Sequence, residues 1–122
     1  MPNWCLNQVT FTAFDQETID NDLEEIHGIF NNPEVGVFEH FIPVNSKDID
    51  DQREAWGTKW DIMPKEDIRN ISQSNNSVTF EFYTAWGPPE PVYNAIKNEY
   101  PNLSIHYVYD EPGWGIKGEG EI

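Results

Sequence analysis

A chain of 122 residues is one domain's worth, and 22 Asp+Glu against 7 Lys+Arg leave a formal charge of −15 and a pI near 4.2. That balance excludes non-specific binding to nucleic acid or to anionic membrane, which rests on Lys and Arg, and it points to a basic partner. Apolar content is only 38%, yet 7 Phe, 5 Tyr and 5 Trp supply large units of buried area, so a compact core is expected rather than disorder.

From Cys5 to Ala13, the apolar Val9, Phe11 and Ala13 alternate with Gln8, Thr10 and Thr12, the period of a half-buried strand. Asp15 suits an N-cap, and Ile19, Leu23, Ile26 and Phe30 then share one face of a helix that ends near Gly28–Asn31. Val35 to Ile42 reads as a second strand closed by Pro43. Residues 44–77 read as an irregular, Trp-rich insertion, with a short helical pattern after Pro64 and a polar tract Ser72–Ser77. Val78, Phe80, Phe82 and Thr84 alternate as a strand, which Gly87-Pro88-Pro89 breaks to open a helix faced by Val92, Ile96 and Tyr100. Leu103, Ile105, Tyr107 and Tyr109 mark a further strand. Glu111-Pro112-Gly113-Trp114 reads as a type II turn, and 115–122 as the returning strand of a hairpin. The expected fold class is α+β: a single domain over 1–122, a ferredoxin-like βαββαβ sandwich with an insertion at about 44–77 and an added C-terminal strand.

Cys5 is the lone cysteine, which rules out an intrachain disulfide and multi-Cys zinc sites, and its apolar surroundings favour a buried, inert thiol. No stretch approaches the roughly 20 apolar residues of a membrane span, and no basic-then-apolar leader opens the chain, so a soluble protein of the host cytoplasm is expected.

Four separated motifs occur in order: Met1-Pro2-Asn3-Trp4-Cys5, Trp56-Gly57-Thr58-Lys59-Trp60-Asp61, Thr84-Ala85-Trp86-Gly87-Pro88-Pro89 and Tyr109-Asp110-Glu111-Pro112-Gly113. Together they resemble the YubB-like ferredoxin-fold family carried by phages and plasmids, with Gly87 standing where that pattern more often has Ser. The resemblance spans nearly the whole chain. It implies a ferredoxin-like fold and a mobile-element origin, and it transfers no catalytic residue and no established activity.

Trp56 and Trp60, four apart, would stand on one side of a helical backbone. They could stack on bases, but Asp50, Asp51, Glu54 and Asp61 around them would repel phosphates, so plugging of the sandwich is the preferred reading. Trp86 and Trp114 are read first as core or rim aromatics. His27, His40 and His106 sit on separate elements without a second His or Cys at metal-ligand spacing, and Asp48-Ile49-Asp50-Asp51 lacks the glycine and bidentate Glu of a calcium loop. No cofactor is expected. No nucleophile elbow, P-loop or dinucleotide fingerprint is present, so an enzyme is not expected, a carboxylate-based hydrolase or lyase being the remote alternative.

The first helix carries the strongest signal. Asp15, Glu17, Asp20, Asp22, Glu24 and Glu25 place carboxylates along about 15 Å, roughly one charge per 2.5–3 Å, close to the roughly 3.4 Å spacing of phosphates on a DNA strand. At 100° per residue Glu17, Asp20 and Glu24 face outward, and no Lys or Arg precedes Lys47. The expected function is therefore a non-enzymatic inhibitor from a phage or other mobile element, resembling an anti-CRISPR. Its acidic surface would mimic nucleic acid and occupy the basic channel of a host nucleic-acid-binding defence complex. Glu17, Asp20, Glu24 and Glu25, with Asp48, Asp50 and Asp51, are its candidate partner-binding residues. The alternative is a structural or assembly module, most simply a homodimer through an open sheet face bearing Thr10, Thr12, Thr79, Tyr83 and His106. Acids suited to the helix dipole and to solubility would alone explain any single carboxylate.

Overall fold

The computed structural model describes residues 4–31, 36–44, 49–58, 60–62, 67–113 and 115–122. The alternating first segment forms β1 (Trp4–Thr12), which buries Cys5, Asn7, Val9 and Phe11 and turns the intervening residues to the other face. Helix α1 follows in three pieces, Gln16–Thr18, a π-helical turn Ile19–Leu23, and Glu24–Phe30. Asp15 caps it as expected, its side chain accepting the Thr18 N–H at 2.8 Å. The wide turn rotates the apolar stripe. Thr18 and Leu23, five apart, are buried, whereas Ile19, which regular α spacing places on that stripe, is half-buried.

Two short helices come next, α2 (Val37–Phe41) and α3 (Ile49–Trp56). The expectation of a strand over 35–42 is therefore wrong for its described part. Val37, Phe38, Phe41 and Ile42 fall at i, i+1, i+4 and i+5, which also fits one helical face, and the decision is made from a distance. Asp61 accepts the N–H groups of Phe38 (2.7 Å) and Glu39 (2.9 Å) at the start of α2, and the Ile62 carbonyl accepts that of Val37 (3.2 Å). Orphan donors of a helix N-terminus are thus satisfied, and helix wins over strand.

The second strand of the sheet is instead β2 (Arg69–Gln73), within the stretch assigned to the insertion and overlapping its polar tract. Its five residues are all exposed, so it carries no burial pattern, and a register shift lies between Asn70 and Ser72. The excursion thus precedes the second strand and includes α2 and α3, rather than following a strand at 35–42. The helical pattern expected after Pro64 falls largely outside the described residues.

The remainder follows the sequence reading: β3 (Ser77–Ala85), α4 (Glu90–Glu99), β4 (Ser104–Glu111) and β5 (Ile116–Glu121). In the last hairpin the turn bond runs from the Gly115 N–H to the Pro112 carbonyl, and the left-handed backbone falls at Gly115 (φ +67°), one residue on from the expected turn and with a different positive-φ glycine.

All pairings are antiparallel, in the order β2-β3-β1-β4-β5. The first four strands have the ferredoxin-like order, and β5 extends it at the β4 edge. Helices cover one face. Phe30 stacks on Phe80 (4.5 Å between ring centres) with Phe11 edge-on to it (5.5 Å), while Phe38 links Trp56 to Phe82. One apolar core thus joins the sheet to α1, α2, α3 and α4.

Candidate functional site

On α1, Glu17, Asp20, Glu24 and Glu25 are exposed and Asp22 is half-buried. Asp20 accepts a bond from Gln16 (2.8 Å), a neutral donor, and among the described residues no Lys, Arg or His forms an ion pair with these four acids. The Asp15 carboxyl is committed to the cap, and the Thr18 N–H holds its pKa below the ordinary value. The acidic stripe read from the sequence is therefore a solvent-facing surface, with its pitch altered by the π-helical turn.

The acids of the insertion are placed differently. Asp50 and Asp51 lie exposed in the first turn of α3, where carboxylates favour the helix dipole, and Asp50 pairs with Arg53 at 2.9 Å. No hydrogen bond or ion pair joins them to the α1 set among the described residues. Asp48 lies outside the described residues.

The tryptophans separate in the same way. Trp56 is buried as the last residue of α3, packs on Phe38, and donates its indole N–H to the Ile42 carbonyl at 2.9 Å. Gly57 (φ +81°) then ends the helix, and its N–H bonds to the Arg53 carbonyl (2.9 Å); a Cβ there would meet Pro91. Trp60 is consequently thrown to the outside, 42% exposed, against Trp4 at 6.0 Å between ring centres. The expectation that both indoles stand on one side and plug the sandwich holds for Trp56 and fails for Trp60, because the left-handed glycine breaks the helix between them. Trp86 is half-buried in the β3–α4 connection, with the unusual φ of +77° for a non-glycine residue. Trp114 lies outside the described residues.

The sheet face away from the helices divides in two. Its middle is internally satisfied: the Thr10 and Thr79 hydroxyls share a 2.8 Å bond, Gln8 donates to Glu81 (2.8 Å), Arg69 pairs with Glu81 (3.4 Å), and His106 meets Glu119 (3.1 Å). At the end where β1 begins, Trp4, Trp60 and Tyr83 are 47%, 42% and 55% exposed and border a groove of about 490 Å³ together with Asp61, Asp67 and Arg69. Leu6 and Tyr83 are cross-strand partners, and a second groove of about 380 Å³, bounded by Trp4, Leu6, Tyr83 and Asp110, continues the first along the face. Sequence reading placed Tyr83 here and missed the groove. Alternation along β1 puts Trp4 and Leu6 on this face, but nothing local brings Trp60 to them.

The buried polar groups act on the fold. Asn7 donates to the carbonyls of Cys5 (3.1 Å) and Phe82 (3.3 Å) and to the Thr84 hydroxyl (2.8 Å), which in turn donates to the Gly87 carbonyl. Cys5 is fully buried, and burial pushes its thiol up to about 11, so it is not a nucleophile at neutral pH. His27 is held by Asn31 and Asn70, both at 3.3 Å. Among the described residues no group of three or more His, Cys, Asp or Glu is placed to hold a metal ion, and no helix is long and apolar enough to cross a membrane.

Sheet order and helix placement define a ferredoxin-like α+β protein. Residues 65–122, which take in β2, β3, α4, β4 and β5, match the family model described as the ferredoxin-like domain in Api92-like protein. No curated protein and no solved structure matches the chain.

Proposed function

We propose that this protein is a non-enzymatic binding module whose acidic α1 face occupies the Lys/Arg-lined surface of a nucleic-acid-binding protein. In its specific form it is an inhibitor made by a phage or other mobile element, the origin that the YubB-like resemblance implies, and its acidic face blocks the nucleic-acid channel of a host defence complex such as a CRISPR effector. The observation that carries the reading is the exposure of Glu17, Asp20, Glu24 and Glu25 with no cation paired to them among the described residues. Asp50 and Asp51 are secondary contacts, the first already shared with Arg53. The module acts by steering and occupancy, so its association is fast and salt-sensitive.

The assembly alternative draws on the open sheet face. The bonded Thr10–Thr79, Gln8–Glu81 and His106–Glu119 pairs leave that face apolar at one end only, less than the continuous apolar core of an obligate dimer. The test is capture of partners by the tagged protein from bacterial lysate, eluted in salt steps and competed with DNA or RNA. A salt-released nucleic-acid-binding complex that Glu17→Lys, Asp20→Lys and Glu24→Lys together fail to capture is the expected result. Equal capture by the charge-reversed protein overturns the reading.

A further inference from the structure

The sheet ends in two unlike edges. At one, β2 is interrupted by the register shift between Asn70 and Ser72, a break of the kind that keeps an edge from pairing onward. At the other, β5 pairs with β4 without a shift from Ile116 to Glu121, and among the described residues it has a strand on that side only. We propose that the outer edge of β5 pairs antiparallel with β5 of a second copy of this chain, about a two-fold axis at Gly118, so that two sheets join into one.

Three observations carry it. First, the backbone is presented. Ile105 and Ile122 exchange both backbone bonds, at 3.1 and 2.8 Å, so Ile116, Gly118 and Gly120, in step with Ile122, turn their N–H and C=O groups to β4. Lys117, Glu119 and Glu121 turn theirs outward. Second, the charges select one register. Outward-turned residues must meet one another, and directly opposed side chains share a face. Centring the pair on Lys117 opposes two lysines, centring it on Glu119 opposes two glutamates, and centring it on Gly120 sets Glu119 against Glu121. Centring it on Gly118 sets Lys117 opposite Glu119 twice and opposes no like charges. The contact of Glu119 with His106 uses Oε2, and the Glu119 side chain stays 71% exposed, so Oε1 can take the lysine. Third, the helix side of the strand is flat where the other copy would lie. Gly118 and Gly120 sit under the rings of Tyr109 and Tyr107, and Ile116 is 42% exposed. In this register Ile116 falls opposite Gly120 of the other copy, where it packs beside the Tyr107 ring instead of meeting a side chain on the strand.

Each copy carries −15, which opposes the union. At about 0.15 M salt the screening length is about 8 Å, so repulsion between distant charges is damped while opposed pairs in contact keep their attraction. A basic segment of another protein would suit Glu119 and Glu121 but would meet Lys117, whereas a second copy suits Lys117 as well. Helix α1 packs toward β3 and β2, through Phe30 on Phe80 and His27 at Asn70. Pairing at β5 therefore leaves α1 open, and the proposal does not depend on the α1 reading.

The test is sedimentation equilibrium of the full chain from about 10 μM to 1 mM at about 0.15 M salt. The expected mass rises from one chain to two. Lys117→Glu and Glu119→Lys should each weaken association about tenfold or more, and the double exchange Lys117→Glu with Glu119→Lys should restore it. A general charge effect predicts otherwise: Glu119→Lys moves the net charge from −15 to −13 and would favour association, while Lys117→Glu moves it to −17 and would oppose it. Both side chains are exposed, and unchanged thermal midpoints at micromolar concentration show that the fold is kept. Charge reversal of Glu17, Asp20 and Glu24 should leave the dimer in place, which separates this proposal from the fate of the α1 reading. The proposal is overturned by a one-chain mass up to millimolar concentration, by opposite effects of the two single reversals, or by failure of the double exchange to restore association. Association that both single reversals leave unchanged would place the contact elsewhere on the surface and overturn it as well.

Discussion

Asp61 is the residue on which the helix layer near the groove depends. Its two carboxylate oxygens accept N–H groups from Phe38, Glu39 and Ile62 at 2.7, 2.9 and 2.7 Å, so a single side chain starts α2 and fixes the segment that leads to Trp60. In Asp61→Ala the two helix donors lose a charged acceptor. Removing a capping side chain costs about 0.5–2 kcal/mol and hydrogen bonds to charged groups are worth about 1.5–3 kcal/mol, which together put the loss at about 2–4 kcal/mol. With a urea slope of about 2 kcal/mol/M, the middle of the usual range, the unfolding midpoint should fall by about 1–2 M, read by far-UV circular dichroism. Asp61→Asn keeps one carbonyl oxygen and should lose about half as much.

The pH dependence has a definite sign. Burial raises the Asp61 carboxyl above its ordinary value of 3.8, despite the three N–H bonds that lower it. The folded protein therefore holds this proton more tightly than the unfolded chain. The stability of the wild type relative to Asp61→Asn should rise as pH falls through the folded pKa towards 3.8, and stay level above it. A midpoint shift below about 0.3 M in Asp61→Ala would refute the assignment of α2 to this cap, and a relative stability that falls on acidification would show that the three N–H bonds outweigh burial at this carboxyl.

Two further predictions concern the sheet. With its thiol at about 11, only about one Cys5 in a thousand is thiolate at pH 8, and its side chain is fully buried, so iodoacetamide should modify it only as fast as the chain unfolds. Rapid labelling in the absence of urea would contradict the burial. Gly120 lies opposite Tyr107, and a Cβ built on it would meet the tyrosine ring well inside van der Waals contact. That ring is packed on Tyr93 (4.8 Å) and bonded to Glu90, so it has nowhere to move, and Gly120→Ala should cost about 1–3 kcal/mol in a thermal or urea melt.

The elements that could be read from the sequence are those whose residues alternate between a buried and an open face. β1, β3 and β4 show period two, and α4 shows its apolar stripe, because each of them meets the core on one side only. β2 could not be read this way: exposed along its whole length, it is ordered by pairing with β3 and leaves no mark in its own composition. The helix at Val37–Phe41 resembles a strand locally and is decided by Asp61, more than twenty positions away. The same reasoning divides the candidate sites. The acidic face of α1 was legible because its residues are contiguous, and only the π-helical turn, which a regular spacing does not anticipate, shifts it. The aromatic groove was not, since Trp4, Trp60 and Tyr83 meet only through the sheet and through the break at Gly57.

The hardest distinction is between an acidic binding face and an acidic protein, and a matched pair of variants makes it. Glu17→Gln, Asp20→Asn and Glu24→Gln remove three charges from α1. Glu54→Gln, Glu99→Gln and Glu121→Gln remove three exposed charges from α3, α4 and β5. Both proteins move from −15 to −12, so self-repulsion of the folded chain falls by a similar amount in each. Raising salt from about 0.01 to 0.15 M shortens the screening length from about 30 to 8 Å, which should raise the thermal midpoint of the wild type and flatten that dependence similarly in both variants. Partner capture responds differently. If α1 is a docking face, only its own variant should lose affinity and part of the salt dependence of capture. Proportionate losses in both variants would mean that the charge acts as a diffuse whole, and the carboxylates of α1 would then serve solubility like the rest.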